Sequence, residues 1–128
     1  MTKEIKYVKK RYSFTVDTPS ITYPKKFDLD KNVKLVKGIL INSNKPSLLF
    51  YRGSQRIELS GEELFPEDYE SKLLMSGISV PPDQKYADLG DDLLAGNGEL
   101  KVQYKDTDNS SAPFEAYQVS VYLMCELN

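Results

Sequence analysis

The chain has 128 residues, no histidine, one cysteine and a net charge of −2, which suits one domain with a core of its own. The missing histidine excludes Ser-His-Asp triads, Cys-His dyads and His-ligated metal sites, and the lone Cys125 excludes an intrachain disulfide. No apolar stretch approaches the ~20 residues that span a bilayer, and Met1-Thr2-Lys3-Glu4-Ile5-Lys6 has no apolar run behind it to read as a secretory signal.

Charge is uneven along the chain. Residues 1–46 hold 11 Lys/Arg against 4 Asp/Glu, a net +7, and residues 47–128 hold 6 against 15, a net −9. Either a basic segment meets an acidic neighbour or nucleic acid, or strands from both halves interleave and the charges mix on one surface.

Residues 3–11 carry Lys3, Lys6, Lys9, Lys10 and Arg11 and read as a basic N-terminal arm or a lysine-protected edge strand. The domain proper is expected over residues 12–128. From Tyr12 the alternation is clean: Tyr12, Phe14 and Val16 against Ser13, Thr15 and Asp17, a half-buried strand that Thr18-Pro19-Ser20 ends. Lys26-Phe27-Asp28-Leu29 is a second short candidate. Val33 to Ile41 is a stronger strand whose parity breaks at Leu35-Val36, with Gly38 as a bulge position.

Asn42-Ser43-Asn44-Lys45-Pro46 is a turn cluster. Leu48–Arg52 and Gln55–Leu59 read as two strands joined by Gly53-Ser54 in a type II′ hairpin. Residues 60–97 are broken by Gly61, Pro66, Gly77, Pro81, Pro82, Gly90, Gly96 and Gly98. They predict long loops with a short helix over Glu67–Met75. Gly96-Asn97-Gly98 predicts a turn before the strand at Leu100, where Leu100, Val102 and Tyr104 alternate with Lys101, Gln103 and Lys105. After the loop Asp106–Pro113, six apolar residues, Tyr117, Val119, Val121, Leu123, Cys125 and Leu127, follow strict period two. That excludes a helix face and predicts a strand internal to its sheet. Cys125 reads as a small buried hydrophobe.

The total is seven or eight short strands without a βαβ rhythm, so the fold class is all-β, an antiparallel sandwich or barrel. Catalysis would fall to carboxylates. Asp88, Asp91 and Asp92 cluster, and Glu62/Glu63 and Glu67/Asp68 form pairs. Glycoside hydrolysis needs two acids on opposite sides of a sugar bond, a geometry that sequence neighbours do not supply, so neither enzyme activity nor a cofactor is expected. Asp106-Thr107-Asp108-Asn109-Ser110 opens like a calcium loop, but Ser111 and Tyr117 stand where Gly and Glu are required, and a polar loop is expected instead. The lysines with Tyr7 and Tyr12 could meet nucleic acid, but the acidic balance and the lack of a sustained basic-aromatic face argue against a dedicated nucleic-acid protein.

The layout of a basic N-terminal segment, the strand Tyr12-Ser13-Phe14-Thr15-Val16, short strands with long loops, and a closing pair from Gly98 to Tyr104 and from Phe114 to Leu127 resembles the small single jelly-roll proteins of icosahedral virus particles, the penton and cement proteins of tailless bacteriophages. The resemblance covers most of the chain, departs from it in the long Gly/Pro-rich stretch 60–97, and implies no catalytic residue. It implies a single jelly roll and a minor capsid component of a virion. Such a protein would be assembled in host cytoplasm, act as a symmetric oligomer and contact other capsid or assembly proteins. The expected partner-binding residues are Lys3, Ile5, Lys6, Tyr7, Lys9, Lys10 and Arg11. The competing expectation is a carbohydrate-binding or host-attachment sandwich using outward tyrosines such as Tyr51, Tyr69, Tyr86 and Tyr122.

Overall fold

A computed structural model of the protein describes residues 7–75, 86–89 and 98–127, with the side chains of Tyr7, Ala87 and Asp88 left aside. Two four-stranded antiparallel sheets form a β-sandwich. One has β1 (Tyr7–Val16), β8 (Tyr117–Leu127), β3 (Val33–Ser43) and β6 (Ala87–Asp88) side by side in that order. The other has β2 (Thr22–Asp28), β7 (Glu99–Asp106), β4 (Gly53–Leu59) and β5 (Glu62–Glu70). A short helix, α1 (Pro46–Arg52), and one 3₁₀ turn (Ser71–Leu74) meet at one end of the sandwich.

The pairing is nested. β1 pairs with β8, β2 with β7, β3 with β6 and β4 with β5. The chain therefore runs as one long hairpin whose tip is Ser60-Gly61. Both tip residues have positive φ, 52° and 85°, as a two-residue type I′ turn requires. Two further pairings, β3 with β8 and β4 with β7, complete the sheets. Nesting sets the basic first third of the chain beside the acidic remainder, and Lys26–Glu99 (3.1 Å) and Lys45–Glu115 (3.7 Å) join the two. The charges mix, as interleaved strands demand.

Period two on β8 becomes burial. Tyr117, Val119, Val121, Leu123 and Cys125 are all buried, and β8 is internal, between β1 and β3. Each such side chain contributes roughly 1.5–3 kcal/mol by leaving water. They meet Ile57, Leu59, Leu100, Val102 and Tyr104 of the opposite sheet in one core, where Phe14 meets Tyr104 edge-on at 5.5 Å. On the other face of β8, Gln118 and Glu126 are half-buried and Ser120 is buried. A central strand is shielded on both flanks, and Arg11 lies over Ser120, donating from Nε and Nη2 to its Oγ at 3.3 Å each. The parity break in β3 is a pair of register shifts, between Val33 and Leu35 and between Val36 and Gly38.

Three sequence expectations need correction. Leu48–Arg52 is not a strand. It belongs to α1, because Pro46 presets the first helical turn and Leu48, Leu49 and Arg52 share one buried face at helical spacing. The Gly53-Ser54 hairpin is therefore absent, and the true hairpin turn lies at Ser60-Gly61. Residues 67–70 of the expected helix are extended in β5, with Pro66 on a sheet edge where its missing N–H costs nothing and Asp68 bulged at φ 65°; only Ser71–Leu74 turn. Finally, the strand read from Tyr12 starts at Tyr7, which is the edge-strand alternative of the two readings of residues 3–11. Residues 7–11 pair with Tyr122–Glu126, so they are edge strand and not free arm. The Gly96-Asn97 turn lies outside the described residues.

Candidate functional site

The α1 end of the sandwich concentrates the polar chemistry of the fold. Its entry is built by local hydrogen bonds: Asn42 Oδ1 accepts from the Ser43 N–H at 2.8 Å, Ser43 Oγ from the Lys45 N–H at 3.1 Å, and Asn44 Oδ1 from the Gln118 N–H at 2.8 Å. Side chains of this kind compete well for backbone donors and so shape turns; α1 itself has no side-chain cap and starts at Pro46. α1 then buries Leu48 and Leu49 in the core and leaves Phe50 and Tyr51 exposed.

Arg52, the last residue of α1, is fully buried and clamps five segments together. Nε donates to Asp106 Oδ1 (3.1 Å) and Nη2 to Asp106 Oδ2 (2.8 Å). Nη1 donates to Asp108 Oδ1 (3.2 Å) and to the Ala112 carbonyl (3.0 Å). Asp106 also accepts from the Tyr117 hydroxyl (2.6 Å) and the Ser20 N–H (2.9 Å). The Tyr104 and Tyr117 hydroxyls share a hydrogen bond of 2.8 Å. The guanidinium lies 5.3 Å from the Phe114 ring centroid. Bidentate pairing of this kind is the strong form of the ion pair. The backbone is equally tight: a Cβ on Gly53 would sit 2.5 Å from the Tyr104 hydroxyl and 2.6 Å from Ser71 Oγ.

This network holds a buried charge. Burial pushes the Asp106 carboxyl up, but the hydrogen bonds from Arg52, Tyr117 and Ser20 outweigh it and keep the group below the ordinary carboxylate range. Burial raises both Tyr104 and Tyr117; around Tyr117, the neighbouring Tyr104 and Asp106 reinforce the rise. Near neutrality the acid is therefore ionised and the two phenols neutral. The calcium-like loop is thereby explained: Asp106 and Asp108 converge on a guanidinium, and the cation they neutralise is Arg52. Among the described residues no three Asp, Glu or Cys side chains converge as a metal site would.

Among the described residues, the carboxylates named from sequence do not converge on a cleft. Glu63 pairs with Arg56 at 2.9 Å, Glu62, Glu67 and Asp68 are exposed along β5, Asp88 lies in β6 opposite Gly38, and Asp91 and Asp92 lie outside the described residues. Of the expected partner-binding residues, Lys3, Ile5 and Lys6 lie outside them too. Of the others, Lys9 and Arg11 share the outer face of β1 and Lys10 points the opposite way, because successive strand residues alternate. Lys9 Nζ stands 5.9 Å from the Tyr86 ring centroid, Lys10 donates to Asp30 at 2.6 Å, and Arg11 covers Ser120. The outward tyrosines are dispersed as well: Tyr51 on α1, Tyr69 packed on Phe65 at 4.8 Å in β5, and Tyr122 on the outer face of β8. Tyr51 has an exposed aromatic neighbour, Phe50, at 5.0 Å and 75°.

The sequence reading missed Arg52 and Asp106. They are 54 residues apart; Arg52 stands in no motif, and Asp106 opens a loop whose calcium-like pattern fails, so neither pointed to the other. The available signal was Asp106 at an inward position of β7, in line with Leu100, Val102 and Tyr104: a charge on a core face demands a partner. Among the described residues no helix is long and apolar enough to cross a membrane. Compared with known proteins, the chain matches no family model, no curated sequence and no solved structure.

Proposed function

We propose that this chain is a non-enzymatic structural protein, a minor capsid component of penton or cement type, which joins a virion in host cytoplasm as a symmetric oligomer alongside other capsid proteins. The observation that carries the reading is strand order. Pairings of first with eighth, second with seventh, third with sixth and fourth with fifth strand support a single jelly roll, the eight-strand double Greek key used in capsid and lectin domains. The buried Arg52–Asp106 clamp favours the same reading, since it ties the ends of α1 and β7 together in a rigid domain.

The edges indicate how such a unit would associate. Lys10 and Lys25 occupy inward register positions on the edge strands β1 and β2, and Pro66 sits in the edge strand β5. Inward charges and proline discourage strand addition, so faces rather than edges are the contact surfaces. The outer face of β1-β8-β3-β6 suits this role. Leu40 stands beside Tyr122 and Gly38 beside Met124, with Arg11 and Lys9 flanking on β1. An apolar stripe bordered by cations fits a neighbour with an acidic rim.

Light scattering over a range of concentrations tests the proposal. The expected mass is a multiple of the 14.6 kDa protomer, and Tyr122→Glu with Met124→Glu should reduce it to one protomer with the melting temperature kept. A single protomer mass at every concentration, with no uptake into assembled shells, would refute it.

A further inference from the structure

We propose that the cleft at the α1 end binds an uncharged saccharide, independently of any assembly role. The cleft measures about 420 Å³ and lies between α1, the start of β4, the end of β5 with its 3₁₀ turn, and the loop after β7. That volume falls within the ~300–1,000 Å³ of small-ligand sites. Phe50 and Tyr51 line it at 45% and 48% exposure, among only four large apolar side chains left so exposed in the described residues. A pyranose presents a face of C–H bonds that packs on the electron-rich face of an aromatic ring, and these two rings stand nearly at right angles.

The aromatic pair is pre-organised. Arg52 anchors the helix from below, its carbonyl accepts from the Thr107 N–H at 2.9 Å, and the Tyr51 carbonyl accepts from Asn109 Nδ2 at 3.2 Å. Rings on so firmly held a turn lose little freedom when a ligand arrives.

The ionic groups of the cleft identify an uncharged ligand. Lys72 pairs with Glu70 at 2.9 Å and Lys105 with Asp68 at 3.4 Å, while Arg52 is taken by Asp106 and Asp108. Cations and anions therefore balance, and an ionic ligand would have to break an existing pair. Each group still has capacity: an ammonium carries three donors, and a carboxylate can accept several hydrogen bonds. Hydroxyl groups, which both donate and accept, match such a mixed rim.

The test is an amide-resolved NMR titration of the full chain. The probes are neutral oligosaccharides of glucose, galactose, mannose and N-acetylglucosamine, each to about 10 mM, the scale of weak single-site binding. At least one should shift amides confined to α1, Gly53-Ser54, Glu70–Lys72 and Lys105–Asn109, and added salt should leave its affinity unchanged. Tyr51→Ala should weaken that affinity about tenfold, as loss of an aromatic anchor does, while Tyr51→Phe keeps most of it; both side chains are exposed, so melting temperature should hold. No shift with any probe, shifts elsewhere, or affinity indifferent to Tyr51→Ala would overturn the proposal. So would binding limited to acidic sugars and abolished by salt. If Phe50→Ala with Tyr51→Ala dissociates an oligomer in light scattering, the surface is a protein contact and the saccharide assignment fails, whatever Tyr122 and Met124 do.

Discussion

Replacing Arg52 with methionine should expose how far the fold depends on its buried clamp. Methionine keeps much of the side-chain length and removes the charge. Asp106, 1% exposed, would then keep only the Tyr117 hydroxyl and the Ser20 N–H, and the Ala112 carbonyl would lose its donor. Removing one partner of a buried pair costs about 3–5 kcal/mol. With an unfolding entropy of about 2.1 cal/mol/K per residue, the 128-residue chain should melt roughly 10–20 °C lower. The loss should depend on pH. In the native protein the folded Asp106 carboxyl titrates below its unfolded value of ~3.9, so its stabilisation is fully present above that value and lost as pH falls through the lower native one. Without Arg52, burial dominates and the native value moves above ~3.9. The variant is then penalised most when the acid must be charged, and it should lose less at about pH 4.5 than at pH 7. Asp106→Leu added to Arg52→Met should recover part of the loss, because two apolar groups leave no buried charge. Denaturant melts at both pH values measure all three variants. A loss under about 1 kcal/mol, or one equal at both pH values, would refute the claim that the pair is buried and charged.

Gly53→Ala should destabilise by about 1–3 kcal/mol, since its Cβ would also meet the Leu49 carbonyl oxygen at 2.8 Å; an unchanged melt would contradict the packing around Tyr104. In a phenolate absorbance titration, Tyr12, raised to about 12 by burial and then by its neighbours Cys125 and Asp30, should stay protonated past pH ~10 with Tyr104 and Tyr117. Raised values mean that their stabilisation is complete below ~10 and lost as pH climbs through them, so late ionisation should coincide with base unfolding. Cys125, pushed up to about 11 by burial, should resist thiol reagents in the native protein and react on denaturation; rapid native labelling would place β8 elsewhere. Val121→Asp, at a fully buried position, should cost several kcal/mol in a thermal melt, roughly the penalty of an unpaired buried charge.

Strands with a long, single periodicity were legible in the sequence. β8 announced its faces because five buried side chains alternate without interruption, and the β3 bulges announced themselves as a broken parity at Leu35-Val36. α1 was not legible for the opposite reason. Leu48-Leu49-Phe50-Tyr51 is continuously apolar, so neither period shows, and its seven residues are too few for a helical repeat to declare itself. Edge strands were also obscure: Tyr7–Arg11 alternates charge with aromatic and apolar residues weakly, and β5 carries a proline, both admissible only because one flank of each strand needs no partner. The α1-end cleft assembles from three separate stretches of chain, and local pattern carries no information about such a meeting.

The nested pairing also orders the birth of the domain on the ribosome. β4 and β5, joined by a two-residue turn, can zip as soon as both emerge. Among the described residues, β3 finds the two-residue β6 on one side and must wait for β8 on the other, while β1 pairs with β8 alone. The first strand made is therefore held open until the eighth arrives, across more than a hundred residues of synthesis. At about 5–20 residues per second this is roughly 5–20 seconds in which the inward face of β1 lacks its neighbour β8. Pairings so distant in sequence are intrinsically slow to close. A chaperone that shields the nascent β1–β3 segment would act in that interval, and a chain stopped before Tyr117 would have one finished sheet and one that cannot form.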